Sequence, residues 1–319
     1  MNIEEICGFP RENYTSDSAW IQAAIDENPG KEVCIPAGVY KIDKTINLSN
    51  GASLRMDKGA ILLAVCEMDY VLYYYSPDNA YPVTDLVGHR VPDYNRYVIG
   101  GTIDGAGLAS CMSLEDYHHF TLRDTAFLNG RKHGLRVGRG VELIASNLYF
   151  ECNISGLAGN TAVYAIGGDN HYTDIIVVDY TVGFDISKEG HGANRLTRCH
   201  VWGGPLPPLA EGEDREMLVN SVGFRLDAWD TLLRDCYADT NKIGFDVYNA
   251  VRMLGCSYYN NFAFKLNDTT VIRKNTDEQM IVDGCLFIKV ERSTLFEGNK
   301  ENVVWNNNIL REGFENPMK

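Results

Sequence analysis

Several things are missing from this 319-residue sequence, and each absence removes a class of protein. It has no run of about 18 apolar residues, so no membrane-spanning helix is expected. Positive charge is short: Lys and Arg number 29 against 43 Asp and Glu, a net charge of −14 at pH 7. Nucleic acid and anionic membrane both reward basic surfaces, so neither is an expected partner. A polyanionic polysaccharide such as pectin would need a locally basic groove set against that global charge, whereas a neutral sugar would not. The cysteines are nine, an odd number spread singly with no CxxC pair, and no paired His/Cys spacing recurs, which argues against a disulfide framework and against zinc. The opening MNIEEICGFP carries acidic residues where a secretory signal carries basic ones, and no apolar segment follows. With the unpaired cysteines, this gives the expectation of a reduced, cytoplasmic protein.

What is present is repetition. VGFRL (222–226), IGFDV (243–247) and FAFKL (262–266) repeat an apolar–small–aromatic–charged–apolar pattern about 20 residues apart, a solenoid period. VGFDI (182–186) and HGLRV (133–137) are further copies. A second series lies between them, LLRDCYAD (232–239), MLGCSYY (253–259) and RLTRCHVW (195–202), and LRDTAFLNGRKHGLRV aligns with LRDCYADTNKIGFDV with one gap. Each segment is short and alternating, hence a strand with one buried face. In VGFRL the inward set is Val222, Phe224 and Leu226, and the outward set is Gly223 and Arg225. One such coil cannot bury its inner face alone; stacked coils can, with the backbone paired along the stack. A leucine-rich horseshoe needs an LxxLxL frame and a propeller four strands per ~40 residues, and neither is found. The fold class is therefore all-β, a right-handed parallel β-helix in one domain over residues 1–319. Cys199, Cys236, Cys256 and Cys285 fall at one inward position and read as a stack of small buried thiols.

In chain order, TSDSAWIQAAIDE (15–27) reads as a capping helix with Ser16 or Asp17 as N-cap and Trp20, Ala23, Ala24 and Glu27 at helical spacing. KEVCIPAGVYKI (31–42) reads as strand, turn and strand, followed by TINL (45–48), ASLRMDKGAILLAV (52–65) and GGTIDGAG (100–107). With these four motifs in order, the chain resembles the pectate-lyase-like superfamily, and more closely the polygalacturonase family, whose β-helix opens with such a helix and runs through the same motifs. The Tyr- and Pro-containing residues 66–98 and the acidic 203–218 are read as loop excursions.

The resemblance thins where the chemistry lies. The polygalacturonase family carries Asn-Thr-Asp, Asp-Asp, Gly-His-Gly and Arg-Ile-Lys on consecutive coils. KHGLRVG (132–138) places His133 at the family's histidine, with Arg136 beside it. One coil earlier stands SCMSL (110–114), with Ala109 and Ser110 in place of the two carboxylates, and one coil later SGLAG (155–159), without Arg-x-Lys. That argues against a polygalacturonase.

The outward columns of the repeated strand offer other candidates. One reads Asp185, Arg225, Asp246, Lys265; the next reads Ser187, Asp227, Tyr248, Asn267; the one before the strand reads Thr181, Ser221, Lys242, Asn261. Strand and residue spacings put Asp227 roughly 8 Å from both Asp185 and Asp246, inside the roughly 6.5–9.5 Å of an inverting glycosidase and too wide for a retaining one. Asp227, Asp185, Asp246 and His191 are the catalytic candidates; Arg225, Lys242, Glu189, Arg195, Asp230, His133 and Arg136 are the substrate-binding ones. The plainer alternative is a solvated ladder of alternating charges that keeps the register of the stack. His171 and Asp104 fit structural roles better. Trp202, Trp229, Tyr248 and one of Tyr258 and Tyr259 would supply sugar-stacking platforms. No metal or cofactor motif is present; calcium held by Glu211, Glu213, Asp214 and Glu216 is the one alternative.

By analogy with the superfamily, the expected activity is that of a carbohydrate-active enzyme: a glycoside hydrolase or glycosyl-transferring enzyme, fructosyl transfer included, acting on an oligo- or polysaccharide through paired carboxylates. Inulin-fructotransferase-like β-helices, usually trimeric, make a homotrimer the expected assembly. A uronate lyase or epimerase using Arg225, Lys242 and Lys265, and a non-catalytic sugar-binding or assembly module, are the alternatives.

Overall fold

The computed structural model describes residues 11–76, 96–154, 157, 159–189, 192–203, 221–259, 268–288, 293–311 and 313–319. Their strands form a ten-stranded, a 20-stranded and a small two-stranded sheet, in which successive coils pair in parallel. One coil shows the plan: Thr231–Arg234, Tyr237–Asp239 and Ile243–Val247 follow one another. Each pairs with its counterpart in the next coil, Val251–Leu254, Ser257–Tyr259 and Thr270–Lys274 respectively. The larger sheet thus consists of two ladders, joined where Ile144–Glu151 and His171–Val178 run through the bend between them.

The bend has a local cause. At the same place in successive coils stand Asp124, Asn147, Asp174, Arg198, Asp235, Gly255, Gly284 and Asn307, all at positive φ. Asp, Asn and Gly enter this left-handed region most cheaply. Arg198 is the exception, and its guanidinium is held by both oxygens of Asp174 in the preceding coil, at 2.6 and 2.7 Å. The next residue turns inward, and here Cys199, Cys236, Cys256 and Cys285 are buried as free thiols. Cys236 Sγ donates to Leu196 O at 3.4 Å and Cys285 Sγ to Met253 O at 3.7 Å, so the thiol stack is tied to the coil before it.

The core of the described residues is predominantly apolar, with buried asparagines such as Asn170, Asn194 and Asn241 among its polar members. Phe184, Phe224 and Phe245 stack at 5.3 Å between successive rings. Phe224 and Arg225 have the expected phase, one fully buried and the other partly exposed. Gly223 does not: a Cβ there would lie 3.0 Å from the Ala238 Cβ across the interior, and at Gly244 one would lie 2.7 Å from the Tyr258 ring. The glycine position therefore points inward beside the phenylalanine, which leaves only hydrogen room there. The fully buried Val271–Ile272 pair occupies the equivalent place one coil after Gly244.

The N-terminal end is sealed by the helix Asp17–Asp26, capped by Ser16, whose Oγ accepts from Ala19 N. Its buried face is Ser18, Trp20, Ile21, Ala24 and Ile25; Ala23 and Glu27, placed on the helical stripe from spacing, are not on it. Three further expectations shift. Tyr70–Tyr75 and Tyr97–Ile99 are rungs of the sheets and not parts of an excursion, because alternate residues Leu72 and Tyr74 pack inward; residues 77–95 lie outside the described residues. The rung after His133–Val137 is Thr161–Ala165, not SGLAG. The rung after Ile243–Val247 is Thr270–Lys274, so FAFKL, with Lys265, lies outside the described residues and Arg273 takes the position assigned to Lys265.

Candidate active site

The outer face of the ten-stranded sheet carries the candidates. Its central outward column, fixed by strand register, reads Tyr73, Ser113, Arg136, Tyr164, Asp185, Arg225, Asp246, Arg273 and Glu297. Alternating charge dominates its second half. Arg225 Nη1 lies 3.2 Å from Asp185 Oδ2 and its Nε 4.0 Å from Asp246 Oδ2. Arg273 grips Asp246 with Nε at 2.8 Å and Nη2 at 2.6 Å, while Asn275 Nδ2 and Tyr248 OH donate at 2.9 and 3.1 Å. Asp246, expected on an exposed face, is thus fully buried beneath its own partners. The reason is the unforeseen Arg273: a bidentate guanidinium on one side and Arg225 on the other fill the column over the carboxylate.

Asp185 and Asp227 differ from it. Asp185 sits directly across from Arg225, and Asp227 is two residues beyond Arg225, just past the end of the strand Val222–Leu226, its amide donating to Ile186 O at 2.8 Å. The diagonal between the two carboxylates is roughly 8 Å from strand and residue spacings. Burial raises the pKa of Asp185, Arg225 opposes the rise, and the charges of Asp227 and Asp246 add to it. Burial also raises that of Asp227, against an opposing Lys188. The difference lies in hydrogen bonding: Asp185 accepts from Arg225, whereas no described residue donates to the Asp227 carboxylate. A carboxylate bonded to a guanidinium stays ionised more readily than one without a donor.

Aromatic surface stands beside the pair. Tyr248 follows Asp227 in its column, its amide donating to Leu226 O, and is 36% exposed. Trp229, two residues after Asp227, is 64% exposed. The indole is seated on Gly192, where an added Cβ would lie 2.2 Å from Trp229 O and 2.8 Å from its ring. The turn carrying it is braced: Arg195 donates to Asp230 O at 2.7 Å and to Asp230 Oδ2 at 3.1 Å, and Arg252 reaches Asp230 Oδ1 at 2.6 Å. Arg195 and Asp230 therefore hold the platform's turn, with Asp230 itself at positive φ.

The remaining candidates scatter. Lys242 lies just before the strand of Asp246, its amide bonded to Ser221 Oγ, and Glu189 is exposed past Ser187. His191 and the acidic residues Glu211, Glu213, Asp214 and Glu216 lie outside the described residues. Upstream, His133 stacks on Tyr164 at 5.1 Å, and burial pushes its pKa down to about 4. Arg136 is paired with Glu115, which also accepts from Ser113 Oγ. His171 sits on the other sheet, across from Arg195. Asp104 accepts from Ala106 N and Asn129 Nδ2, closing a turn. Of the tyrosine pair, Tyr258 is buried with its hydroxyl on Asn241 O, and Tyr259 faces out. Among the described residues no group of three His, Cys, Asp or Glu is arranged to hold a metal ion, and none of their helices is long and apolar enough to cross a membrane. Sequence reading missed Glu115, Arg273 and Asn275; the signal for the last two was TVIRKN (270–275), a repeat copy without the small residue.

No protein-family model and no curated protein matches the chain. Solved structures do. Geobacillus virus E2 ORF18 shares 17% identity at a TM-score of 0.64 over 96% of this chain, which spans 59% of that one. Alginate lyase from Paenibacillus sp. str. FPU-7 shares 11% at 0.64, over 90% of this chain and 97% of that one. Endo-xylogalacturonan hydrolase from Aspergillus tubingensis shares 9% at 0.65, over 93% and 89%. The protein has the right-handed parallel β-helix fold of the pectate-lyase and polygalacturonase type.

Proposed function

We propose that this β-helix is a carbohydrate-active enzyme that breaks or transfers glycosidic bonds by paired-carboxylate acid–base catalysis. The observation that carries the reading is the pair Asp185 and Asp227 on adjacent rungs of the outer face, both raised by burial and only one bonded to a cation. Asp227 is the protonated member and gives its proton to the leaving glycosidic oxygen. Asp185, kept ionised by Arg225, removes a proton from the incoming water or sugar hydroxyl. Their spacing of roughly 8 Å leaves room for that nucleophile and corresponds to inversion at the anomeric carbon. Trp229 and Tyr248 would stack on the sugar rings. Asp246, sealed by Arg273, anchors the column.

The test is a screen of the purified protein against fructans, xylans, glucans, pectins and plant oligosaccharides, repeated with Asp185→Asn and Asp227→Asn. Turnover that vanishes in both variants, with the first-formed product inverted, supports the reading; turnover unaffected by both defeats it. One observation favours a second reading, a sugar-binding or assembly module: the Asp185–Arg225–Asp246–Arg273 alternation stabilises the same face without any chemistry. That reading expects sugar binding with no turnover.

A further inference from the structure

We infer that the carbohydrate taken by this face is uncharged, an inference that rests on the reading of the face as a sugar site and names its substrate class. Sugar units and β-helix rungs have similar spacing, near 4.8 Å between strands, so a uronate chain lying across the sheet would present a carboxylate to nearly every rung. To bind it, the rungs would have to offer cations in the same order. The three arginines of the central column are already committed: Arg136 to Glu115, Arg225 to Asp185 at 3.2 Å and Arg273 to Asp246 at 2.6 Å. The central column also holds Glu297, and Asp227 lies in the column beside it, so five carboxyl groups, that of Asp227 protonated, stand against three arginines. Of the lysines at its margins, Lys188 acts on Asp227, and Lys132 and Lys242 stand one residue ahead of the strands. A substrate carboxylate placed beside the ionised Asp185 would meet a like charge in a partly buried setting, a repulsion that disfavours uronates.

What the face offers instead suits uncharged rings. The indole of Trp229, 64% exposed yet fixed on Gly192 by the braced Asp230 turn, is a rigid apolar plane. Tyr248 presents a second ring two rungs along from Asp185, and its hydroxyl is occupied by Asp246. Rigid aromatic planes lose little freedom on binding and cover the C–H faces of a sugar.

The experiment titrates the full chain, following tryptophan fluorescence and heat, with neutral fructo-, xylo-, manno- and gluco-oligosaccharides and with oligogalacturonate and oligoalginate, each at low and high salt. The inference expects a neutral series to bind, with affinity unchanged by salt and weakened roughly tenfold or more by Trp229→Ala, as for loss of an aromatic anchor. Trp229→Phe, which keeps a ring on Gly192, should retain most of the binding and serves if the alanine variant fails to fold. Binding confined to the uronates and falling with salt overturns the inference; the catalytic reading is then still decided by Asp227→Asn on that uronate. Neutral binding without turnover supports the inference and defeats the enzyme reading. Failure of every saccharide to bind overturns the inference.

Discussion

At the scale of single residues, the decisive contrast is between two aspartates that look alike in sequence. Asp246 sits on a repeat strand and Asp227 just past the end of one, yet Asp246 has four donors around it and Asp227 has none among the described residues. Asp227→Asn keeps the volume and removes the titrating group, so turnover on the true substrate should fall by at least ~100-fold, the usual cost of losing a general acid. Asp104→Asn, in a turn that needs only acceptors and shape, should leave the rate within a few-fold. The pH behaviour follows the sign of the shift. Burial raises the folded pKa of Asp227, so the folded state holds that proton more tightly than the unfolded state. Its contribution to stability is therefore lost as pH rises from about 3.9 through the folded pKa. Asp227→Asn should match the parent's thermal stability near pH 4 and exceed it near pH 7. In kinetics, the alkaline limb of kcat/KM should belong to Asp227 ionising, and a limb unchanged in the residual activity of Asp227→Asn would exclude it as the acid.

At the scale of the strand and its ladder, buried charge has larger energetic consequences. Removing Arg273 takes away both charged hydrogen bonds to the Asp246 carboxylate and leaves it neutral donors and Arg225 at 4.0 Å, so Arg273→Ala should cost about 3 kcal/mol, the low end of the range for breaking a buried pair by one partner. Pairing it with Asp246→Asn should recover a substantial part, measured as the coupling energy of a double-mutant cycle in urea. The two half-buried imidazoles act on acid stability. His133, stacked on Tyr164, and His200, stacked on Tyr237, are both pushed down to about 4 by burial. Lowered folded values mean the unfolded state takes up the protons first, so stability is lost as pH falls from about 6.5 toward 4. Replacing either with Gln should flatten the decline of Tm over that interval, and an unchanged decline would mean the rings titrate normally. This is also the scale at which sequence reading divides. The inward phase of Phe224 and the cysteine stack were legible because a repeated strand has one buried side, and repetition shows which. The rung after Ile243–Val247 was not, since FAFKL copies the pattern more closely than TVIRK does, and only strand pairing identifies Thr270–Lys274 as that rung. With that one rung misplaced, Lys265 stood where Arg273 belongs and Asp246 looked open.

At the scale of the whole molecule, a solenoid's stability is close to a sum of nearest-neighbour interfaces, so its two ends and its middle need not respond together. The N-terminal end is closed by the helix Asp17–Asp26, whose Trp20, Ile21 and Ile25 are buried. Near the other end, Val303–Asn306 and Ile309–Arg311 have no fully buried residue, although Trp305 and Leu310 pack against the core. Amide exchange should therefore be fastest over 303–311 and slowest over the central rungs 133–186. Phe224→Ala removes the middle ring of the Phe184–Phe224–Phe245 stack and should cost about 3–5 kcal/mol as a large-to-small core change. Because the coils communicate only through their neighbours, that loss should fall unequally. Rungs on the C-terminal side, 243–311, are cut off from the capping helix by the weakened interface and should exchange much faster in the variant. Rungs from 46 to 186 remain anchored to the capping helix and should change little. The prediction is checked by hydrogen exchange read strand by strand, and acceleration of equal size on both sides of Phe224 would show one cooperative unit in place of a linear stack. Asp185 and Asp227 lie on the two rungs that Phe184 and Phe224 support, so the same variant should lose turnover at temperatures where the N-terminal half is still folded.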